Sequence, residues 1–283
     1  MTHRSHRGEL ARKRFWDQTA DRFGRDRLAV VTGPTARGIS NMIVDFFQNR
    51  ALSPLLAALS GKLVLEVGCG TGRWLARGRR KGARMIGIDI SANMLRLARA
   101  HSLRAKFDLI SAHASFLPFK SDTFDCILSV TTLQHVLDPK RLTEVASEIR
   151  RTLRPDGLLI LLETATSLHV DEKVTEDYPT AFRSVHDWQR LFRNQKVSLV
   201  TTRPVNPSLG AEFIKTIAKD KVKGSGYYAR QLEGQLEGID RLLKVAWDVS
   251  RNLLSIISFP IDFMFMNKLC RFSVHKIMIF RND

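Results

Sequence analysis

Residues 64–72 read Val64-Leu65-Glu66-Val67-Gly68-Cys69-Gly70-Thr71-Gly72, and Gly87-Ile88-Asp89-Ile90-Ser91 follow at residues 87–91. An apolar run with an acidic residue near its end predicts a buried strand. The alternating glycines predict a turn whose backbone approaches a ligand closely. The residues after the turn have helical composition, and a second apolar run ends at Asp89, so the stretch predicts a βαβ unit. In such a unit the first loop wraps a nucleoside, and the acid after the second strand receives its ribose hydroxyls.

The spacing of the glycines bears on which nucleoside is bound. A dinucleotide fingerprint has its third glycine where this chain has Arg73, so that the helix packs close beneath a pyrophosphate. Here the glycines alternate and Glu66 precedes them. An acid in that place suits a ligand with an amino group and no phosphate. A dinucleotide site and a glycine loop without a ligand stay open as alternatives.

This pattern resembles the first motif of the class I S-adenosylmethionine-dependent methyltransferases. Further motifs follow it in order: Leu117-Pro118-Phe119, the turn 121–125, the strand Cys126–Val130, Leu133-Gln134-His135-Val136, a helix from about Pro139, and the run 153–160. This succession resembles the type 11 methyltransferase domain, whose members include quinone, sterol and other small-molecule methyltransferases. The resemblance covers roughly residues 60–165 and implies S-adenosyl-L-methionine as cofactor.

The resemblance implies an α/β fold, a Rossmann-like seven-stranded methyltransferase sheet with flanking helices, an N-terminal helical cap and a helical insertion before the last strand. Strands are expected at residues 62–67, 85–89, 109–113, 126–130, 158–163, 197–202 and 274–280, and helices at 74–80, 92–101, 139–153 and 186–192. Residues 1–58 are expected to form a basic arm, loose over 1–14, and the helical cap. Residues 59–204 and 272–283 form the cofactor-binding core, and 205–271 a lid or docking element.

Cofactor contacts follow from the resemblance by position. Glu66 would bind the amino group, Asp89 the ribose, and the backbone of Ala114 the adenine ring. His113 stands where relatives commonly carry Asp; an uncharged imidazole can accept one hydrogen bond, so adenine recognition would be weaker or sensitive to pH. Arg73 is either a partner for the cofactor's carboxylate or part of a solvated basic face. The remaining predicted cofactor contacts are Gly68, Cys69, Gly70, Gly72, Ile90 and Ser129.

A catalytic base is needed only if the methyl acceptor loses a proton. His135, on the loop after the fourth strand, is the first candidate, with a structural hydrogen-bonding role as the alternative; His186 and His169 come next. The three cysteines, Cys69, Cys126 and Cys270, show neither paired nor metal-ligand spacing, which predicts reduced thiols in a cytoplasmic setting and no metal site.

The formal net charge of +17 favours a polyanionic partner: nucleic acid, an anionic membrane or a phosphorylated substrate. A basic but otherwise ordinary surface is the alternative. Residues 253–266 are strongly apolar and either wall a cleft for an apolar substrate, lie in a membrane interface, or pack as core. The leading hypothesis is a methyltransferase for a small, apolar or lipid-linked acceptor, cytoplasmic or peripheral to a membrane. RNA methylation, of tRNA in particular, is second, and a non-catalytic scaffold third.

Overall fold

The computed structural model describes residues 3–23, 28, 39–101, 108–166, 180–205 and 275–283. Several sequence-based predictions lie outside these residues. They are a helix break at Gly33-Pro34, a role for His169, the thiol of Cys270 and nearly all of the insertion 205–271. The division into core and insertion therefore stays a prediction.

The described residues form one mixed sheet with helices on both faces. Its long strands lie in the order β3-β2-β1-β4-β5-β8-β7, and the two-residue strand β6 pairs with β5. The strands are β1 Leu63–Val67, β2 Arg84–Asp89, β3 Asp108–Ser111, β4 Phe124–Val130, β5 Leu153–Thr166, β6 Arg183–Ser184, β7 Val197–Pro204 and β8 His275–Asn282. The helices are α1 His3–Phe23, α2 Ile39–Ala58, α3 Arg73–Arg80, α4 Ala92–His101, α5 Pro139–Thr152 and α6 Val185–Arg193.

Strand pairing confirms the Rossmann-like class. Strands β1 to β5 pair in parallel, whereas β8 runs antiparallel to both β5 and β7. The last two long strands are therefore neighbours, although about seventy residues separate them in the chain. Because the carboxyl ends of parallel strands meet at one edge of a sheet, the loops after β1, β2, β3 and β4 converge there.

Local signals explain where the helices begin and which faces they bury. The Asp138 side chain accepts a hydrogen bond from the Lys140 amide at the start of α5, and α6 begins with a capping box between Ser184 and Asp187. The predicted cap of α4 is confirmed, since the Ser91 hydroxyl accepts from the Met94 amide at 3.1 Å. Helices α5 and α6 pack on one face of the sheet, and α2, α3 and α4 pack on the other.

Two predictions of local structure were wrong. Residues 3–14 belong to the continuous helix α1, not to a loose arm. The arm is rich in good helix formers, and Lys13 pairs with Asp17 one turn later at 2.6 Å. Strand β5 begins at Leu153, so the predicted turn 154–157 is an irregularity within it, across which the pairing with β4 shifts register.

Candidate active site

The loop after β1 brings its backbone close to neighbouring groups. Gly68 has φ +70°, and a Cβ there would lie 2.2 Å from the Thr132 Cγ2 atom. Gly70 has φ +51°, but a Cβ there would meet no atom within 4 Å. Both glycines adopt left-handed backbone that side chains disfavour. Gly68 is needed for packing against the loop after β4, whereas Gly70 faces open space.

Asp89, the last residue of β2, holds this loop. Its Oδ2 atom accepts a hydrogen bond from the Gly70 amide at 2.8 Å, and its Oδ1 atom accepts from the Ser91 amide at 2.8 Å. Burial raises the pKa of Asp89 to about 6, although these amide donors act in the opposite direction. A carboxylate oxygen can accept more than one hydrogen bond, so both oxygens retain capacity for ligand hydroxyls.

Glu66 lies one residue before the end of β1 and is almost completely buried. Its Oε2 atom has no hydrogen-bond partner among the residues that the structure describes. Burial raises the pKa of Glu66 well above its usual value; the charge of Asp89 raises it further, and that of Arg73 lowers it. A buried polar atom without a partner is costly, and a cationic donor in the cavity would relieve that cost.

Arg73 begins α3 and is held by helix α2. Its guanidinium donates hydrogen bonds to Asp45 and, at 2.8 Å, to Gln48 Oε1. It also lies 4.7 Å from the centre of the Trp74 ring, as does the guanidinium of Arg77. These contacts fix a cation close to Glu66.

One cavity at the carboxyl edge of the sheet brings most of the predicted site together. The predicted residues that line it are Glu66, Gly68, Cys69, Gly70, Arg73, Asp89, Ile90, His113, Ala114 and His135. Residues that the sequence did not single out for the site also line it, among them Arg12, Trp16, Trp74, Met94, Thr131 and Thr132. Trp16 could have been suspected from the aromatic pair that it forms with Phe15, but nothing local to the sequence places Arg12 here.

Three predicted site residues lie elsewhere. Gly72 is the N-cap of α3, and its amide donates to the Cys69 carbonyl at 2.9 Å. Ser129 is fully buried behind the cavity wall and donates to Glu163 Oε1 at 2.9 Å. These internal contacts accompany the place of both residues outside the cavity lining, and a role for Gly72 or Ser129 in cofactor binding stays a prediction. His186 is exposed on α6, outside the cavity lining.

The contacts of His113 bear on which of its ring nitrogens carries a proton. The Ser115 amide donates to His113 Nδ1 at 3.1 Å, and the Ser115 hydroxyl lies 2.7 Å from the same nitrogen. A nitrogen that accepts from an amide carries no proton, so the neutral ring is protonated at Nε2 and that nitrogen is a donor. In that tautomer the ring offers a donor through Nε2, and contact between His113 and the adenine ring stays a prediction.

A buried acid supports the turn that carries His135. Glu163 Oε1 accepts from the amides of Thr132 and Leu133 at 3.2 and 3.0 Å, and its Oε2 atom accepts from the Gln134 amide at 3.3 Å. Burial raises the pKa of Glu163, and the amide donors oppose that shift. Successive amides on one carboxylate fix the short helical turn Leu133–His135 at the cavity.

The matches to known proteins agree with this arrangement. The model of a methyltransferase domain family matches residues 64–157, which include the glycine loop, Asp89 and the turn that carries His135. The chain contains a class I S-adenosylmethionine-dependent methyltransferase domain.

Relatives of this methyltransferase domain differ in the activities that their names state. A demethylmenaquinone methyltransferase of Tropheryma whipplei is 34% identical over 128 residues, 44% of this chain and 52% of the relative. The methyltransferase GfsG of Streptomyces halstedii is 31% identical over 176 residues, 59% of this chain and 58% of the relative. The chain thus spans about half the length of the curated relatives it matches.

A solved structure shares the fold over a larger part of the chain. The [4+2]-cyclase SpnF has a TM-score of 0.52 and 18% identity, over 82% of this chain and 79% of SpnF. Its name denotes a cyclase, so this likeness shows the fold and not the reaction.

Proposed function

We propose that the chain is an S-adenosylmethionine-dependent methyltransferase that acts on a small, apolar or lipid-linked acceptor. Glu66 would bind the amino group of the cofactor, Asp89 its ribose hydroxyls and Ala114, through its backbone, the adenine ring. Gly70 would allow close approach. When bound, the cofactor supplies an electrophilic methyl group, so the protein's task is to orient the reactants and exclude water.

The pair of buried carboxylates carries this proposal. Glu66 and Asp89 end neighbouring parallel strands, flank the glycine loop and line the same cavity. Burial raises the pKa of both groups, so the ligand-free site holds negative charge at a cost in free energy. A ligand with an ammonium and a sulfonium compensates that charge.

The apolar character of the acceptor rests on the sequence of residues 253–266, which lie outside the described residues, and on resemblance. Among the described helices, none has both the length and the apolar composition that crossing a bilayer requires. Peripheral contact with an anionic membrane stays part of the proposal.

RNA methylation is the second candidate, because of the basic surface. Helix α3, the loop after it and the start of β2 expose Arg79, Arg80, Lys81 and Arg84, and the chain carries a net charge of +17. Binding to bulk tRNA that weakens steeply as salt rises, as counterion release requires, would favour this candidate.

Isothermal titration calorimetry with S-adenosylhomocysteine tests the cofactor site. Asp89→Ala should weaken binding about tenfold to a hundredfold, because two hydrogen bonds to a charged group are lost. Asp108→Ala is the matched control, since Asp108 is exposed at the start of β3, the end of the strand away from the cavity. Unchanged affinity in Asp89→Ala, with a wild-type circular dichroism spectrum, would remove the assignment.

A further inference from the structure

Glu163 is an acid of β5 that is fully buried and lies outside the described lining of the cavity. The donors to its carboxylate, at 2.9 to 3.3 Å, are the Ser129 hydroxyl and the amides of Thr132, Leu133 and Gln134. An ionised carboxylate only accepts hydrogen bonds, so this set of donors matches the ionised form. Because most of the donors are successive amides of the turn after β4, the acid and this turn form one hydrogen-bonded unit.

The turn begins at a residue whose backbone is strained. Thr131 has φ +51°, in the left-handed region that a β-branched side chain disfavours. Such a conformation persists only where the surrounding structure holds it. The Thr131 amide donates to the Leu162 carbonyl at 2.7 Å, and the amides that follow it bind Glu163. Strand β5 therefore holds the turn in a conformation that the chain would not keep without these bonds.

Thr132 connects this turn to the glycine loop after β1. Its hydroxyl donates to the Gly68 carbonyl at 3.3 Å and to the Val130 carbonyl at 3.2 Å. The contact is close, because a Cβ on Gly68 would lie 2.2 to 2.8 Å from atoms of the Thr132 side chain. Groups packed this closely cannot shift independently. A displacement of Thr132 would therefore also displace the glycine loop, which lines the cavity.

We propose that Glu163 is a positioning residue of the cofactor site, and that it acts through Thr132 to set where the backbone of the glycine loop lies. The inference rests on the proposed function for what the loop binds, but not for the coupling between the acid and the loop. The same turn carries His135 to the cavity. One buried acid that touches no ligand thus fixes two parts of the cavity wall.

Amide hydrogen exchange, followed by mass spectrometry on the full chain, tests the coupling without a ligand. Glu163→Gln keeps the shape of the side chain but replaces one acceptor oxygen by an amide group that cannot accept. Exchange should become about tenfold or more faster in peptides covering residues 131–136, and also in peptides covering residues 67–72. Glu148→Gln is the matched control, because Glu148 also accepts from a backbone amide, that of Leu117 at 2.7 Å, but lies outside the cavity lining. It should leave exchange in both peptides unchanged.

Calorimetry with S-adenosylhomocysteine measures what the coupling does to the site. Glu163→Gln should weaken binding about threefold to tenfold, and Glu148→Gln should bind as wild type does. Thr132→Val removes the hydroxyl that donates to Gly68 and leaves the carboxylate of Glu163 in place, so it tests the same path even if Glu163→Gln does not fold. It should weaken binding by a similar factor. The double variant should lose no more than the larger of the two single losses, because both changes interrupt one path.

Two results would overturn the inference. Faster exchange in residues 131–136 alone, with residues 67–72 as in wild type, would confine the effect of Glu163 to its own turn. Losses of affinity that add in the double variant would show that Glu163 and Thr132 act separately. If wild type itself did not bind S-adenosylhomocysteine, the proposed function would be contradicted, and the exchange measurement would still decide whether the acid and the glycine loop are coupled.

Discussion

Alanine substitution at three glycines with left-handed backbone distinguishes the effects of backbone strain, of side-chain packing and of ligand contact. Gly61, Gly68 and Gly70 have φ of +77°, +70° and +51°. An alanine in this conformation costs about 1–2 kcal/mol. An added Cβ at Gly61 and Gly70 meets nothing within 4 Å, whereas at Gly68 it lies 2.2 Å from Thr132 Cγ2. The three substitutions share the strain and differ in what the methyl group meets.

The structure sets a different outcome for each. Gly61→Ala, outside the cavity lining, should lower the free energy of unfolding by about 1–2 kcal/mol and leave S-adenosylhomocysteine affinity unchanged. Gly68→Ala adds overpacking of about 1–3 kcal/mol, because the Thr132 hydroxyl is held by the carbonyls of Gly68 and Val130 at 3.3 and 3.2 Å. Gly70→Ala should match Gly61→Ala in stability but weaken ligand binding about tenfold or more, since Gly70 lines the cavity and its open side is where the proposed ligand approaches.

Urea unfolding and calorimetry measure the two effects separately. If Gly68→Ala were as stable as Gly61→Ala, the close contact between the loop after β1 and the loop after β4 would be contradicted. If Gly70→Ala bound S-adenosylhomocysteine as tightly as wild type, the glycine loop would not contact the ligand. Thr132→Ala combined with Gly68→Ala should recover part of the lost stability, because it removes two of the three overlapping atoms.

Three other predictions concern buried charges and the cavity wall. Asp89 binds a proton more tightly in the folded chain, where its pKa is about 6, than in the unfolded chain. The free energy of unfolding of wild type relative to Asp89→Asn should therefore fall by about 3 kcal/mol as pH rises from about 3 to about 7, measured by urea titration. Asp45→Asn leaves the partly buried Arg73 without its counter-charge and should cost about 2–3 kcal/mol by the same assay, with a lower S-adenosylhomocysteine affinity. Ser129→Ala removes one donor to Glu163 and should cost about 1 kcal/mol without changing that affinity; a loss of affinity would return Ser129 to the site.

The cofactor region could be predicted because its parts are close in sequence. Glu66 and Asp89 lie within one βαβ unit. Because β1 and β2 pair in parallel, both acids lie at the same edge of the sheet. Composition and spacing are enough to identify such a unit. Ser129 shows the limit of this reasoning, because a position near the end of a strand does not tell whether its side chain meets the cavity or a buried acid such as Glu163.

A helical cap at the N-terminus was expected, but its contacts with the cavity could not be predicted, because they depend on residues distant in sequence. The bond between Asp17 and Ser91 joins residues 74 positions apart and helps to hold α1 as a wall of the site. Helical periodicity puts Arg12 and Trp16 on one face, but the contacts of α1 with distant residues decide what that face meets. The proton on His113 also depends on the folded loop, since a backbone amide two residues away donates to one of its ring nitrogens.

The electrostatics of the cavity also bear on the dinucleotide alternative that the glycine loop leaves open. A pyrophosphate at the start of α3 would lie near the buried carboxylate of Glu66, whose pKa is already raised by burial. Arg73 shares the carboxylate of Asp45 with Arg77, so these three side chains leave one net positive charge against the two acids of the described cavity lining. A phosphate would therefore raise the cost of a site that already holds two acids, whereas a ligand with an ammonium and a sulfonium lowers it. Charge, more than the number of glycines, favours the methyl donor over a dinucleotide.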